Sequence, residues 1–290
     1  MPPAGWRGVA LCLAIAFALA WSLWELVALQ GGIVRGGALL LITSSMFAPL
    51  LGTLAAWAWI DREALRVAGL RWGGLGWYLL VYGLVPALLL LGGVVCVLTG
   101  VQQFDPTFRY LQEEAQRMGL PPPPVPPSLT MAILLAIPAF TIAPLFNMLF
   151  AIGEELGWRG YLLARLLPLG PRRAALAVGV LWGLWHAPLV AMGWNYPGEP
   201  VRGPLLMIGF TVVWGVILAW LRVRSGSVWP AALAHGALNA EAGSVALFLT
   251  PASPLVGAPV GWVALLPAAL CALALLGKAS WQPAESGAAP

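Results

Sequence analysis

Anything a lipid bilayer would reject interrupts this chain only briefly. A bilayer core of about 30 Å is crossed by about 20 consecutive apolar residues in a helix. Eight runs near that length stand between charged or Pro/Gly-rich breaks, roughly Gly8 to Gln30, Gly37 to Ile60, Gly76 to Gly100, Leu129 to Pro168, Ala174 to Met192, Pro204 to Leu221, Ser227 to Thr250 and Val260 to Gly277. A large soluble protein with several buried helices is excluded, because 15 basic and 11 acidic residues among 290 cannot cover its surface. The expected fold class is therefore all-α, a polytopic membrane protein of about eight transmembrane helices. The fourth run is too long for one simple span, since 40 residues of continuous helix would reach about 60 Å. It must bend or break, and Pro138 and Pro144 are the expected places, each removing a backbone hydrogen bond. Broken backbone at membrane depth is tolerated where it lines a cavity, here expected near Glu154 and open to the cytoplasm.

Basic residues in connecting loops report orientation, because Lys and Arg are retained on the cytoplasmic side. With eight spans, the loop set containing both termini holds Arg7, Arg62, Arg66, Arg71, Arg165, Arg172, Arg173, Arg222, Arg224 and Lys278, and the opposite set holds Arg35, Arg109, Arg117 and Arg202. Ten against four implies that both termini are cytoplasmic. The small net positive charge is a topology signal and calls for no nucleic-acid partner. Arg7, the apolar stretch after it and Ala18-Leu19-Ala20 weakly resemble a signal-peptide cleavage region, but the run continues to Leu29, which favours an uncleaved first helix. Cys12, Cys96 and Cys271 lie in separate apolar runs without metal-type spacing and read as small apolar fillers.

No internal repeat is visible. The expected organisation is one membrane domain, with N-terminal helices and an external loop over residues 1–128, a core over 129–250, and a last helix and tail over 251–290. In the external loop an amphipathic stretch from Asp105 to Met118 precedes the prolines of 121–127, a stiff extended spacer. The tail, Ser280 to Pro290, is small and polar and expected to be disordered.

Ionisable groups inside a bilayer are expensive and mark function by default. The fourth run contains Glu154, Glu155 and Arg159; the fifth contains His186; the seventh contains His235, Asn239 and Glu241; both histidines of the chain lie in spans. Counted from Arg165, Arg172 and Arg224, residues Glu154, His186 and His235 stand 11, 14 and 11 positions into their helices, a shared depth of roughly 16–21 Å. Glu155 with Arg159, and His235 with Asn239, are i,i+4 neighbours on one helix face. Glu154 lies about 100° around from Glu155. Glu155 can therefore brace Arg159 while Glu154 faces a cavity holding the histidines. A buried polar network that only joins helices is the structural alternative. Glu25, Glu241 and the proline-rich loop carry no assigned role.

A carboxylate and an imidazole converging on a water form a general-base pair, and a second histidine with an asparagine can donate hydrogen bonds to the oxyanion of an attacked amide. No serine or cysteine has an activated arrangement, so the nucleophile would be water. A zinc site is the rival. Glu154, His186 and His235 could hold an ion with water completing the shell, although His-Glu-x-x-His is absent.

Three motifs resemble those of the CAAX protease and bacteriocin-processing (CPBP, or Abi) family. They are Glu154-Glu155-Leu156-Gly157-Trp158-Arg159-Gly160, Trp182-Gly183-Leu184-Trp185-His186 and His235-Gly236-Ala237-Leu238-Asn239. Their order and their placement in membrane segments agree with the family over roughly residues 130 to 250; Trp182 stands where the family more often has Phe, a departure expected to keep an aromatic packing role. The resemblance implies an intramembrane endopeptidase related to type II prenyl-CAAX (Ras-converting) enzymes. By motif position it implies Glu154 as general base, His186 as its partner on the water, and His235 with Asn239 as the oxyanion pair. Glu155 and Arg159 look like a supporting or substrate-binding pair. No cofactor is expected, with zinc the alternative. The expected partners are a peptide or lipidated protein substrate and membrane lipids, with no nucleic acid, and the expected location is a bacterial inner membrane. A non-catalytic membrane scaffold or immunity protein is the other class of function. A small-solute transporter would show paired repeats, and none is seen.

Overall fold

The computed structural model describes residues 4–117, 129–278 and 281–282. The described residues are helical apart from turns and one isolated bridge between Phe104 and Leu249. The helices are α1 (Ala4–Leu29), α2 (Ala38–Ser45), α3 (Ala48–Trp59), α4 (Ala64–Val67), α5 (Leu75–Leu98), α6 (Arg109–Arg117), α7 (Leu129–Thr141), α8 (Ala143–Glu155), α9 (Leu163–Leu166), α10 (Pro171–Ala191), α11 (Arg202–Ser225), α12 (Trp229–Ala246) and α13 (Trp262–Gly277).

Each expected apolar run appears as helix, and five spans among the described residues are long and apolar enough to cross a bilayer: Gly5–Leu29, Ala38–Trp59, Leu75–Leu98, Pro171–Ala191 and Arg202–Ser225. The bent pair α7 and α8 with its continuation to Leu169 makes a sixth. The remaining two of the eight expected segments fall outside that set. The apolar α13 is only 16 residues long, and α12 carries His235, Asn239 and Glu241. The protein is an integral membrane protein of all-helical architecture. Leucines such as Leu79, Leu90, Leu98, Leu134 and Leu270 are more than half exposed on the bundle surface, the arrangement lipid requires.

Proline positions set the breaks. The chain bends by 50° between α7 and α8, with Pro138 inside α7 and Pro144 at the start of α8, because neither can donate into the helical ladder. Pro49 at the start of α3 parts it from α2 in the same way. Beyond α8 the helix does not end. It widens into a π-helical segment, Leu156–Leu162, before α9 and a 3₁₀ turn at Leu167–Leu169. Glycines bring this element close to its neighbours. A Cβ at Gly157 would meet Pro49 at 2.3 Å, and one at Gly236 would meet the α8 backbone at 2.6 Å. A close approach of α12 to α8 thus falls beside His235.

The ends of the bundle are chemically unlike. At one, the loops carrying the ten basic residues are tied together: Arg165 pairs with Asp61, Arg71 donates to the Gly226 carbonyl, Arg222 to that of Val67, Arg172 to that of Lys278 and Arg224 to that of Gln282. At the other, Gln102 donates to the Thr250 carbonyl, the Asp105 amide to that of Phe248 and the Tyr196 hydroxyl to that of Val260. Among the described residues of the amphipathic stretch Arg109–Arg117 is helical, and the proline run lies outside the described residues, as does the tail beyond Gln282. Of that tail Trp281 and Gln282 are described. Trp281 is buried and donates to the Leu275 carbonyl, which follows from its being the one large apolar side chain in that polar tail.

Candidate active site

Glu154 and Glu155 close α8, so the two carboxylates point to different sides of one helix, and both are buried. The structure divides them as the angular argument expects. Glu155 turns inward. Its Oε1 accepts from Arg159 Nη1 at 2.8 Å and lies 2.9 Å from His235 Nδ1. Arg159, completely buried on the π-helical segment, lays its guanidinium 4.1 Å from the centre of the Trp182 ring. Glu155 is thus a bridge between Arg159 and His235, a role beyond the simple ion pair that the i,i+4 spacing suggests.

Glu154 turns towards a cavity of about 570 Å³ lined also by His186, His235, Asn239, Trp182 and Asn147. Its Oε2 accepts the Trp182 indole N–H at 2.7 Å, while no described residue bonds its Oε1. His186, partly buried, sets its Nδ1 2.9 Å from the Trp182 carbonyl. A carbonyl oxygen only accepts, so Nδ1 carries the proton and the neutral ring keeps its Nε2 lone pair free. By the same logic His235 donates from Nδ1 to the Glu155 carboxylate. Donation from its Nε2 to an oxyanion would need a second ring proton. Asn239 is exposed into the cavity and makes no hydrogen bond to described residues.

The structure therefore brings Glu154, Trp182, His186, His235 and Asn239 to one cavity and sets Glu155 and Arg159 directly behind it. Trp182 does more than pack, because its N–H is a donor that a phenylalanine lacks. Asn147 was not anticipated. It sits seven residues before Glu154 on the same face of α8, with its amide tied to the Ala143 carbonyl, and that i,i+7 spacing was the available signal. Trp24 was missed as well. It lines the cavity, donates to Ser45 and stacks 6.4 Å from His186, a contact between distant segments with no local signature. Glu241, on α12, is buried with neither carboxylate oxygen hydrogen-bonded among the described residues, and it does not line this cavity. Glu25 is exposed on α1.

Among the described residues no three His, Cys, Asp or Glu side chains converge so as to hold a metal ion. Glu154, His186 and His235 share a cavity without forming a ligand set in this arrangement, so no step is derived through zinc.

Two expectations conflict. The cavity wall includes Leu39, Tyr110, Trp194, Asn195, Pro259 and Val260, all at the bundle end opposite the ten basic residues. A cytoplasmic opening and cytoplasmic termini are therefore incompatible. The depth count measured how far the site lies from the basic end but carried no information on which end is open.

Residues 130–240 match the family described as Rce1-like, type II CAAX prenyl endopeptidase. The matched segment runs from α7 into α12 and contains every cavity carboxylate, imidazole and amide named above. No curated protein matches the chain.

Proposed function

From a membrane chain whose residues 130–240 match a family of CAAX prenyl endopeptidases, we propose that this protein hydrolyses a peptide bond in a membrane-attached polypeptide, with water activated by Glu154 and His186. The observation that carries the reading is a pair of acceptors without partners among the described residues, Glu154 Oε1 and His186 Nε2, in one cavity, each on a side chain whose other polar atom is fixed at Trp182. Water between them loses a proton to Glu154 as its oxygen attacks the carbonyl carbon. Asn239 donates to the oxyanion. The C–N bond then breaks, the departing nitrogen takes the proton from Glu154, and a new carboxyl and a new amine are released. General-base assistance of this kind contributes about 10²–10⁴ in rate, and one oxyanion donor about 10²–10³.

Leu39 on α2 and Phe146 on α8 both line the cavity and are 62% and 61% exposed. This supports a lateral opening between those helices through which a lipid-anchored or transmembrane substrate enters. The mechanism requires no metal, and Asn239, a good amide donor, is a poor zinc ligand. The non-catalytic scaffold reading has no comparable support, since it gives the unpaired acceptors no task. Purified protein incubated with an internally quenched lipopeptide tests the proposal: release of two fragments is expected, and none from Glu154→Gln. An intact peptide across a panel of lipidated and unlipidated sequences would count against it.

A further inference from the structure

The cavity has one closed end and one open end, and the distribution of charge relates that asymmetry to the membrane. Below Glu154 the bundle is sealed. Trp158, Arg159, Leu162 and Leu163 are at most 1% exposed. Beneath them Asp61 accepts from the Tyr161 hydroxyl at 2.9 Å and pairs with both Nε and Nη2 of Arg165. All ten basic residues of the terminus-bearing loops lie at or beyond this plug. At the other end the cavity continues into a second one of about 450 Å³ that shares Tyr110, Trp194, Asn195, Pro259 and Val260 with it and reaches Glu113 on α6. Sharing these walls, the two offer a channel from Glu154 towards the loop surface, and among the described residues none of the basic loops lines either.

Positive residues in short loops mark the cytoplasmic side, and here they number ten against four. We infer that the active-site channel opens to the non-cytoplasmic face, so that the substrate is an exported or membrane-inserted polypeptide whose scissile segment lies on that face, and not a cytoplasmic lipidated tail. This rests on the endopeptidase reading for the word substrate, but the side of access is a property of the channel alone. The continuation along α6 and the loops preceding α11 and α13 gives an extended polypeptide a path beyond the bond being cut, and the α2–α8 opening lets its membrane anchor remain in lipid.

Access and catalysis are separable by experiment. Single-cysteine variants Glu113→Cys at the mouth, Thr43→Cys in the cavity wall and Arg173→Cys at the basic end are treated in intact cells with a charged, membrane-impermeant thiol reagent. The unsubstituted protein, whose own three cysteines lie in apolar helices, provides the background. Labelling of Glu113→Cys and Thr43→Cys without permeabilisation, and of Arg173→Cys only after it, is the expected pattern. The reverse overturns the inference. In parallel, an impermeant quenched lipopeptide is added to right-side-out and inverted membrane vesicles. Cleavage in the first and not the second, with equal cleavage after detergent, is expected. Cleavage confined to inverted vesicles also overturns the inference. Absence of cleavage even in detergent defeats the endopeptidase reading, and the thiol labelling then still decides which face the channel opens to.

Discussion

Replacing Arg159 by alanine isolates the support behind the site. The guanidinium is completely buried, donates to Glu155 at 2.8 Å and lies over Trp182 at 4.1 Å. Its removal leaves the Glu155 carboxylate buried with only His235 against Oε1 and nothing against Oε2. Breaking a buried ion pair by removing one partner costs about 3–5 kcal/mol, because the surviving charge is uncompensated. At about 2–4 °C per kcal/mol for a large domain, the melting temperature should fall by about 6–20 °C. Glu154→Gln, which removes a charge and keeps an acceptor for the Trp182 N–H, should melt within about 2 °C of the parent, as isosteric changes without a broken network do. Thermal melting in one detergent, with scan rate held constant, measures both. The double variant Glu155→Gln/Arg159→Met removes the stranded charge and should recover part of the loss, a coupling of about 0.5–3 kcal/mol. Equal melting temperatures for Arg159→Ala and Glu154→Gln would show that Glu155 and Arg159 do not support the site.

Trp182→Phe keeps the ring beneath Arg159 and deletes one hydrogen bond to Glu154. If that bond, worth about 1.5–3 kcal/mol to a charged acceptor, aligns the base in the transition state, kcat should drop by about 10- to 100-fold with KM little changed; steady-state kinetics on the quenched lipopeptide reads both, and an unchanged kcat would reduce Trp182 to packing. Activity should survive exhaustive chelation, with no stoichiometric zinc by elemental analysis; loss on chelation and recovery on zinc return would defeat the metal-free mechanism while leaving Glu154, His186 and His235 as the site. Asp105 staples the start of α6 near the channel mouth. Burial pushes its carboxyl up, but hydrogen bonds from Thr107 and Arg109 outweigh this and hold it at about 2, against an ordinary 3.8. Its stabilisation is therefore present above pH 3.8 and lost as pH falls through about 2, so amide exchange across 105–117 should accelerate over that window in the parent and be fast throughout in Asp105→Ala.

Much of this was legible because membrane spans and buried charge leave strong local marks. The eight apolar runs are helices, the long fourth run bends between the prolines that interrupt it, and Glu155 meets Arg159 as their spacing requires. What escaped depends on three-dimensional register. The π-helical turn at 156–162 has no composition of its own and reflects packing against α3, where Gly157 meets Pro49. The N–H of Trp182 became chemically relevant only once α8 and α10 were in place, because an aromatic in an apolar run reads first as packing. The open end of the cavity is built jointly by α2, α6 and the loops before α11 and α13, which no single segment encodes.

The central claim is that Glu154 works on water to cut a peptide bond in an otherwise intact fold. Its most direct test is mass-spectrometric mapping of lipopeptide cleavage by the purified parent and by Glu154→Gln, each with its melting temperature measured in the same sample. The account predicts one new peptide terminus with the parent, a loss of at least about 10²-fold with Glu154→Gln, the lower end for a general base, and matching melting temperatures. Undiminished cleavage at the same bond by folded Glu154→Gln would contradict it.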